Sequence, residues 1–177
     1  DDRCWSVAAT DGGWVVAGET ASSGSGERDC YLVRTDSAGR ELWSRTYGGE
    51  KDDRCFSVAA AKDGGFVLAG QTFSEGAGDR DAWILKTDSD GELEWSATHG
   101  GEASDVAHSV VVNSEGDILV TGYTTSFAET PDDPMVLKYT GAGKLEWSRV
   151  LAMDGHNKTI TGSPAPGPAP TRGPASG

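Results

Sequence analysis

The chain has 177 residues, of which 28 are acidic and 15 basic, so its formal net charge is −13 at pH 7. This charge would repel a polyanion and excludes nucleic acid as an expected partner, while solubility alone is a sufficient reason for an acidic surface. No apolar run approaches the roughly 20 residues of a membrane-spanning helix, so membrane insertion is not expected.

Residues 1–157 consist of one pattern written three times. Two residue types mark the pattern at a spacing of 52 residues: Trp43, Trp95 and Trp147, and Gly18, Gly70 and Gly122. A repeat of this length predicts units that stack on one another to bury their apolar faces. We divide the chain into repeats at 1–51, 52–104 and 105–157.

Each repeat contains four short runs with strand character and no stretch with helical periodicity. In the first repeat these runs cover residues 5–10, 14–18, 30–35 and 42–47. Four antiparallel strands per unit predict an all-β chain of three β-propeller blades. Consecutive apolar residues in the second run of every repeat, such as Trp14 to Val16, predict a strand buried on both faces between neighbouring sheets.

Two connections in each repeat are tight turns and two are longer. Glycines follow aspartates at 11–13 and 36–39, where a hairpin requires positive φ. The longer connections, at 19–29 and 48–54, must share the opposite end of the sheet, which is the expected binding end. Its candidate residues are Glu27, Arg28, Asp29, Asp53, Arg54, Asp79, Arg80, Asp81, Asp132 and Asp133.

The repeat resembles a family of secreted prokaryotic β-propellers. The motifs are Asp-Gly-Gly-aromatic at 63–66, Gly-x-Thr at 70–72 and Asp-x-x-Gly-x-x-x-Trp at 88–95. The last motif is similar to the docking motif of quinoprotein propellers, which implies that three tryptophans dock adjacent blades: Trp43, Trp95 and Trp147. The chain lacks the additional threonine of that motif, so a quinone cofactor is not expected. The resemblance also implies an extracellular or cell-surface location.

Three blades are too few for an ordinary ring, which closes with about four to eight. Two apolar blade faces would remain open. We therefore expect either that the sequence is a piece of a longer array or that copies associate to supply the missing blades. The last segment, 158–177, is rich in proline, glycine and alanine, and its composition predicts a disordered linker or tail.

Catalytic residues are not indicated. Asp105, His108 and Ser109 lie close in sequence, but adjacent strand residues point to opposite faces, and Ser109 has a counterpart in every repeat. We interpret the serine as a structural hydrogen bonder and His108 as a packing residue. His99 and His156 are isolated, and no spacing is typical of a zinc site.

Calcium is the one metal to consider. Asp88, Asp90 and Glu92 surround Gly91, but the third oxygen residue of a calcium loop is missing, so a hairpin turn is favoured. Better candidate cation ligands are the carboxylates of the long connections: Asp29, Asp52, Asp53, Asp79, Asp81, Asp132 and Asp133.

The chain contains three cysteines, so at least one thiol stays free. Cys4 and Cys55 occupy equivalent positions of adjacent repeats, and stacked sheets lie about 10 Å apart, so these two are not expected to pair. A bond between Cys30 and Cys55 across one interface is possible, and buried free thiols are the alternative.

The leading hypothesis from the sequence is a non-catalytic binding or scaffold module that presents variable loops to a protein or glycan. Loops differ between repeats at 19–29 and 123–133, whereas the framework residues recur. The alternative is part of a propeller enzyme, quinoprotein-like or a hydrolase, whose active site lies in blades or loops outside this sequence. A purely architectural array is the third option.

Overall fold

The computed structural model describes residues 1–128, 132–151 and 158–160, and every regular element in these ranges is a β-strand. Sheet 1 contains β1 (Arg3–Thr10), β2 (Gly13–Thr20), β3 (Asp29–Asp36) and β4 (Glu41–Tyr47). Sheet 2 contains β5 (Asp53–Ala60), β6 (Phe66–Thr72), β7 (Asp81–Thr87) and β8 (Leu93–His99). Sheet 3 contains β9 (Asp105–Val112), β10 (Ile118–Thr124), β11 (Asp133–Tyr139), β12 (Leu145–Val150) and the short β13 (Lys158–Ile160). No helix of the described ranges could cross a membrane.

Each repeat therefore forms one sheet of four antiparallel strands in chain order, as the sequence predicts. Because neighbouring strands alternate in direction, the tight hairpins lie at one end of the sheets and the long connections at the other. The strand β13 pairs with β12, so the predicted tail begins with a strand at Lys158–Ile160. The remaining residues of that tail, 161–177, lie outside the described residues, as does the boundary at 157.

In sheets 1 and 2, aspartate side chains close the hairpins between the third and fourth strands through hydrogen bonds to the backbone of the turn. Asp88 Oδ1 accepts hydrogen bonds from the N–H groups of Asp90 (2.9 Å) and Glu92 (2.8 Å), and Gly91 adopts a φ of 76°. Asp36 makes the same two bonds in sheet 1, to Ala38 and Arg40. The Asp88 carboxylate thus closes a turn, which agrees with the hairpin interpretation of this segment.

The three sheets pack face to face through two apolar clusters. Sheets 1 and 2 bury the first cluster, which includes Leu32, Leu68 and Trp83. Sheets 2 and 3 bury the second, which includes Ile84 and Leu137. Each sheet contributes its middle strands, where the consecutive apolar residues lie, so burial of these strands is the main stabilising contribution at each interface.

The expectation that all middle strands are buried on both faces is correct for sheet 2 and wrong for the outer sheets. Every residue of β6 and β7 is buried. In contrast, Trp14 of β2 is 46% exposed and Leu119 of β10 is 36% exposed. Sheet 2 has a neighbour on both faces, whereas sheets 1 and 3 each have a neighbour on one face among the described residues.

A disulfide joins sheets 1 and 2. Cys30 at the start of β3 is bonded to Cys55 of β5, with their Cα atoms 5.0 Å apart. Both residues are fully buried. Cys4 remains a free, exposed thiol. The sequence left this pairing open, and the structure resolves it in favour of the bond across the interface.

Candidate functional site

The candidate binding residues of the long-connection end fall into two groups. The exposed ones are Glu27, Asp79 and Asp132, and the arginines Arg28, Arg54 and Arg80 are half-buried. The other four are buried: Asp29, Asp53, Asp81 and Asp133. The buried carboxylates begin strands and face the interior, so they are not part of the surface that a ligand meets.

Buried carboxylates instead hold the long connections in place. Asp53 Oδ1 accepts a hydrogen bond from Thr72 Oγ1 (2.5 Å), and its Oδ2 accepts from Gly49 N (2.7 Å) and Ser74 Oγ (2.6 Å). The equivalent Asp105 accepts from Gly101 N at 3.0 Å in the next repeat. Each carboxylate thereby joins the connection between two sheets to the loop after the second strand of its own sheet.

A second carboxylate approaches the first at each interface. The Cβ position of Gly48 lies 2.0 Å from Asp29 Oδ1 and 2.9 Å from Asp53 Oδ2, so no side chain fits there. Burial, together with the negative charge of Asp53, raises the pKa of Asp29 to about 6, although the N–H of Ser25 donates to it. Burial and the charge of Asp105 likewise raise the pKa of Asp81 to about 6.

Replacing Asp29 with asparagine is expected to stabilise the fold at pH 7.5 by about 1 to 3 kcal/mol. A carboxyl group whose pKa is higher in the folded state favours folding at low pH, and this contribution is lost as the pH rises from about 4 to about 6. Asparagine resembles the protonated acid and does not ionise, so its contribution to stability is retained at high pH. Urea unfolding at pH 4.5 and 7.5 measures the difference, and the gain should be much smaller at pH 4.5.

Asp2 provides the matched control for Asp29. Hydrogen bonds from Thr20 and Ser22 lower the pKa of Asp2, so Asp2→Asn should lose stability at pH 7.5 rather than gain it. Asp29 is preferred to Asp81 for the test because His99, whose pKa burial lowers, lies near the second carboxylate pair. A gain for Asp29→Asn that is equal at both pH values would contradict the assignment of its raised pKa.

Near these carboxylates, a buried glutamate forms ion pairs with three arginines. Glu19 is fully buried, and its Oε1 lies 3.1 Å from Arg28 Nη1 and 3.6 Å from Arg3 Nη1. Arg54 of sheet 2 forms an ion pair with Oε2 at 3.4 Å. In the next repeat Gln71 replaces the glutamate and accepts a hydrogen bond from Arg80. The guanidinium groups of these arginines are therefore held by polar partners, and the side chains of Arg28 and Arg54 are only 26% and 27% exposed.

Four rings form a row, which we call the aromatic row: three lie on the first strands of the three sheets and the fourth on β10, and they are Trp5, Phe56, His108 and Tyr123. Successive ring centroids lie 6.3, 5.4 and 5.6 Å apart. Trp5 is 50% exposed, and His108 is also exposed. Arg80 Nη2 donates to Tyr123 Oη at 2.8 Å, which places a cation at one end of the row.

A β-bulge in each first strand creates the row. The pairing of β1 with β2 skips Trp5, and the pairings of β5 with β6 and β9 with β10 skip Phe56 and His108 in the same way. The bulged backbone approaches the partner strand so closely that a Cβ on Gly18 would lie 1.8 Å from Arg3 O. Glycine is thus required opposite each bulge, at Gly18, Gly70 and Gly122.

The aromatic row is not among the features predicted from the sequence, in which His108 is interpreted as a packing residue; the structure exposes its ring. The sequence feature that indicates the bulges is the glycine inside the second strand of every repeat, since glycine within a strand is typical of a bulge or a close backbone approach. The three aligned residues Trp5, Phe56 and His108 lie four residues or fewer from the start of their strands, at the long-connection end.

No hydrogen bond joins Asp105, His108 and Ser109 within the described residues. The Asp105 carboxylate accepts hydrogen bonds from Gly101 N and Ser126 Oγ, and the His108 ring packs between the rings of Phe56 and Tyr123. Two equivalents of Ser109 bind the backbone of the following sheet: Ser6 Oγ accepts from Val58 N and Ser57 Oγ from Val110 N, both at 3.2 Å. In the described part of the chain, no group of three or more histidine, cysteine or acidic side chains is arranged to hold a metal ion.

Comparison with known proteins finds partial similarities. No protein family model matches the chain. Over 128 residues it is 28% identical to the regulatory protein FlaEY of Caulobacter vibrioides, an alignment that covers 63% of this chain and 13% of FlaEY. A crystal structure of a protein of unknown function from Bacteroides caccae aligns with a TM-score of 0.42 and 18% identity. That alignment covers 88% of this chain and 52% of the other. The chain thus spans only a small part of FlaEY and about half of the Bacteroides protein.

Proposed function

We propose that the chain is a non-catalytic binding module of a secreted or cell-surface protein, built from β-propeller-type blades, which recognises a protein or glycan at the long-connection end. The observation that carries the proposal is the partly exposed aromatic row, with the Arg80 guanidinium at one end of it. Trp, Tyr and Arg dominate the energetics of binding surfaces, because they combine a large apolar area with a polar group that fixes orientation.

The framework supports a recognition role for this end of the molecule. Buried carboxylates such as Asp53 hydrogen-bond to the long connections, so the exposed residues of these loops are held on an ordered backbone. The bulges place Trp5, Phe56 and His108 outside the regular alternation of their strands. A ligand would therefore meet a preorganised surface, which lowers the entropic cost of binding.

The blade assignment rests on repetition of the same interface. Trp43 lies 6.0 Å from Phe66 of the next sheet and contacts the Gly91 turn, where its ring is 2.8 Å from the Cβ position. Trp95 contacts the Gly143 turn of sheet 3 in the same manner. Docking of a tryptophan on the following sheet supports propeller-type stacking, in which Trp147 is the third docking residue.

The cellular location is part of the proposal. The bond between Cys30 and Cys55 supports an oxidising compartment, since disulfides persist in secreted and surface proteins and are rare in the cytosol. The acidic net charge of −13 is compatible with a protein or glycan ligand and unfavourable for nucleic acid.

Replacing Trp5 with alanine is expected to weaken ligand binding at least tenfold, because it removes a large, half-exposed ring of the aromatic row. The measurement applies the labelled chain to arrays of oligosaccharides and of secreted proteins, followed by titration of each ligand that binds. The large effect is expected because a large aromatic residue that anchors a binding surface contributes about 2 kcal/mol or more.

Trp14 is the matched control for Trp5, since it is also about half exposed, at 46%, but lies at the tight-hairpin end. Trp14→Ala should leave the affinity within about twofold. In a third variant, exchange of the exposed loop residues 21, 23 and 27 should also reduce binding while unfolding remains unchanged. Equal loss of affinity for both tryptophan variants would contradict the assignment of the surface.

A further inference from the structure

The two interfaces between sheets are built from the same contacts. The N–H of Asp53 donates to the carbonyl of Arg28 at 2.8 Å, and that of Asp105 donates to Arg80 at 2.8 Å. Ser6 Oγ accepts from Val58 N at 3.2 Å, just as Ser57 Oγ accepts from Val110 N in the second interface. Successive sheets are therefore related by one packing rule, which any sheet of this repeat type can continue.

The outward face of sheet 1 has the residues of a docking face. Val7 is 61% exposed and Trp14 46% exposed, whereas their equivalents in sheet 2, Val58 and Phe66, are 6% and 2% exposed beneath sheet 1. Other equivalents pair Val16 with Leu68, Tyr31 with Trp83, and Val33 with Leu85. The same positions that bury against a preceding sheet in repeat 2 are thus apolar and uncovered in repeat 1.

The hairpin of sheet 1 also lacks the partner that its equivalents have. Gly91 and Gly143 each contact the tryptophan of the preceding sheet, Trp43 and Trp95, at less than 3 Å from the Cβ position. Gly39 occupies the same position in sheet 1, and nothing lies within 4 Å of its Cβ position. Its φ of 80° matches those of the other two glycines, so the turn is already in the geometry that accepts a docking ring.

The positions of the cysteines indicate which kind of sheet could dock on the outward face of sheet 1. Cys4 is the equivalent of Cys55, which bonds to Cys30 of the preceding sheet. Cys4 itself is exposed and free. At the second interface the two positions are occupied by Ala82 and Ala107, which are both fully buried. A cysteine therefore occurs at this position where the preceding sheet offers a cysteine, and not where it offers alanine.

We infer that the outward face of sheet 1 docks a further four-stranded sheet of this repeat type, which carries a cysteine at the position of Cys30, and that Cys4 forms a disulfide with it. An unaltered second copy stacked head to tail would present Pro134 at this position, so it could not form the bond. The inference deepens the proposed blade packing and is independent of what the aromatic row binds.

The cross-link is an oxidation of two thiols. Cys4 and the partner cysteine each lose a proton, their sulfur atoms form one bond, and two electrons pass to a small disulfide such as oxidised glutathione. That oxidant is reduced to two glutathione thiols, through a mixed disulfide with one of the cysteines. The exposed Cys4 is accessible for both steps.

Engineered copies of the chain provide the test. A donor chain carries Cys4→Ser and Pro134→Cys, which places a thiol at the Cys30 position on the outward face of sheet 3, and the unaltered chain supplies Cys4. A matched donor carries Cys4→Ser and Val111→Cys, since Val111 is 54% exposed on the same face. Oxidised glutathione is added, and the mixed disulfides are separated on non-reducing gels and mapped by mass spectrometry.

The Pro134→Cys donor is expected to form the Cys4-linked dimer at least tenfold faster than the Val111→Cys donor. Trp14→Ala in the acceptor should slow this reaction about tenfold, whereas Trp5→Ala should change it much less. Equal rates for the two donors, or Cys4-to-Cys4 dimers forming as fast as the mixed dimer, would overturn the inference. Because Trp5 and Trp14 report on different surfaces, failure of the cross-link and failure of ligand binding are distinguishable.

Discussion

Replacing both Cys30 and Cys55 with alanine is expected to lower the free energy of unfolding by about 3.5 kcal/mol, the loop-closure value for a cross-link between residues 25 apart. Alanine is the appropriate replacement because Ala82 and Ala107 fill the equivalent positions of the second interface. Packing between the sheets should then be retained, and the loss should come from the greater freedom of the unfolded chain. Urea unfolding of the oxidised proteins measures it.

Two controls isolate the cross-link. Reduction of the unaltered chain should give a similar loss, whereas Cys4→Ala should change the free energy of unfolding by less than about 0.5 kcal/mol, since Cys4 is exposed and unbonded. Intact-mass measurement before and after alkylation verifies that one disulfide and one free thiol are present. A double-alanine variant as stable as the oxidised chain would mean that the bond contributes nothing to the fold.

Replacing Trp43 with alanine is expected to lower the free energy of unfolding by about 2 to 4 kcal/mol. The ring packs against the first apolar cluster and against Phe66, and it covers the Gly91 turn. Its removal leaves a gap that the rigid hairpin cannot close, so water would reach the edge of the interface. Chemical unfolding gives the total loss, and hydrogen exchange should show β4 and the 88–92 turn losing protection first.

Trp147 offers the same side chain at the same strand position in sheet 3, with no following sheet among the described residues. The Arg149 guanidinium lies over the Trp147 ring, 5.5 Å from its centroid. Trp147→Ala should therefore cost about 1 kcal/mol or less, while Trp95→Ala should match Trp43→Ala. Similar losses for Trp43 and Trp147 would argue against docking as the source of the stabilisation.

Strands and turns of this chain could be predicted because they depend on local sequence. The apolar run at 66–68 and the Asp-Gly-Gly sequence at 63–65 specify a strand and a turn within a few residues. Repetition then extends the assignment to the other copies. The exposure of Trp14 could not be derived from its own segment, because the same pattern is buried at Phe66, and only the presence of a neighbouring sheet differs.

The candidate site was predicted less completely, for two physical reasons. Asp29 and Asp53 are polar residues next to loops, which predicts exposure, yet backbone and hydroxyl donors of those loops surround them and permit burial. The pairing of Cys30 with Cys55 depends on how two sheets are aligned across an interface, and short-range sequence patterns do not define this alignment. The placement of the long connections at one end of the sheets could be predicted from the alternating strand directions alone.

The bulges have a consequence for how such a surface can diversify. A residue of the regular alternation packs against a neighbouring sheet, so its size is restricted by that neighbour. The bulged position lies outside this alternation, its ring contacts the equivalent ring of a neighbouring repeat, and it holds tryptophan, phenylalanine and histidine at Trp5, Phe56 and His108. Each repeat can therefore contribute a different ring to one row without altering the two apolar clusters between the sheets.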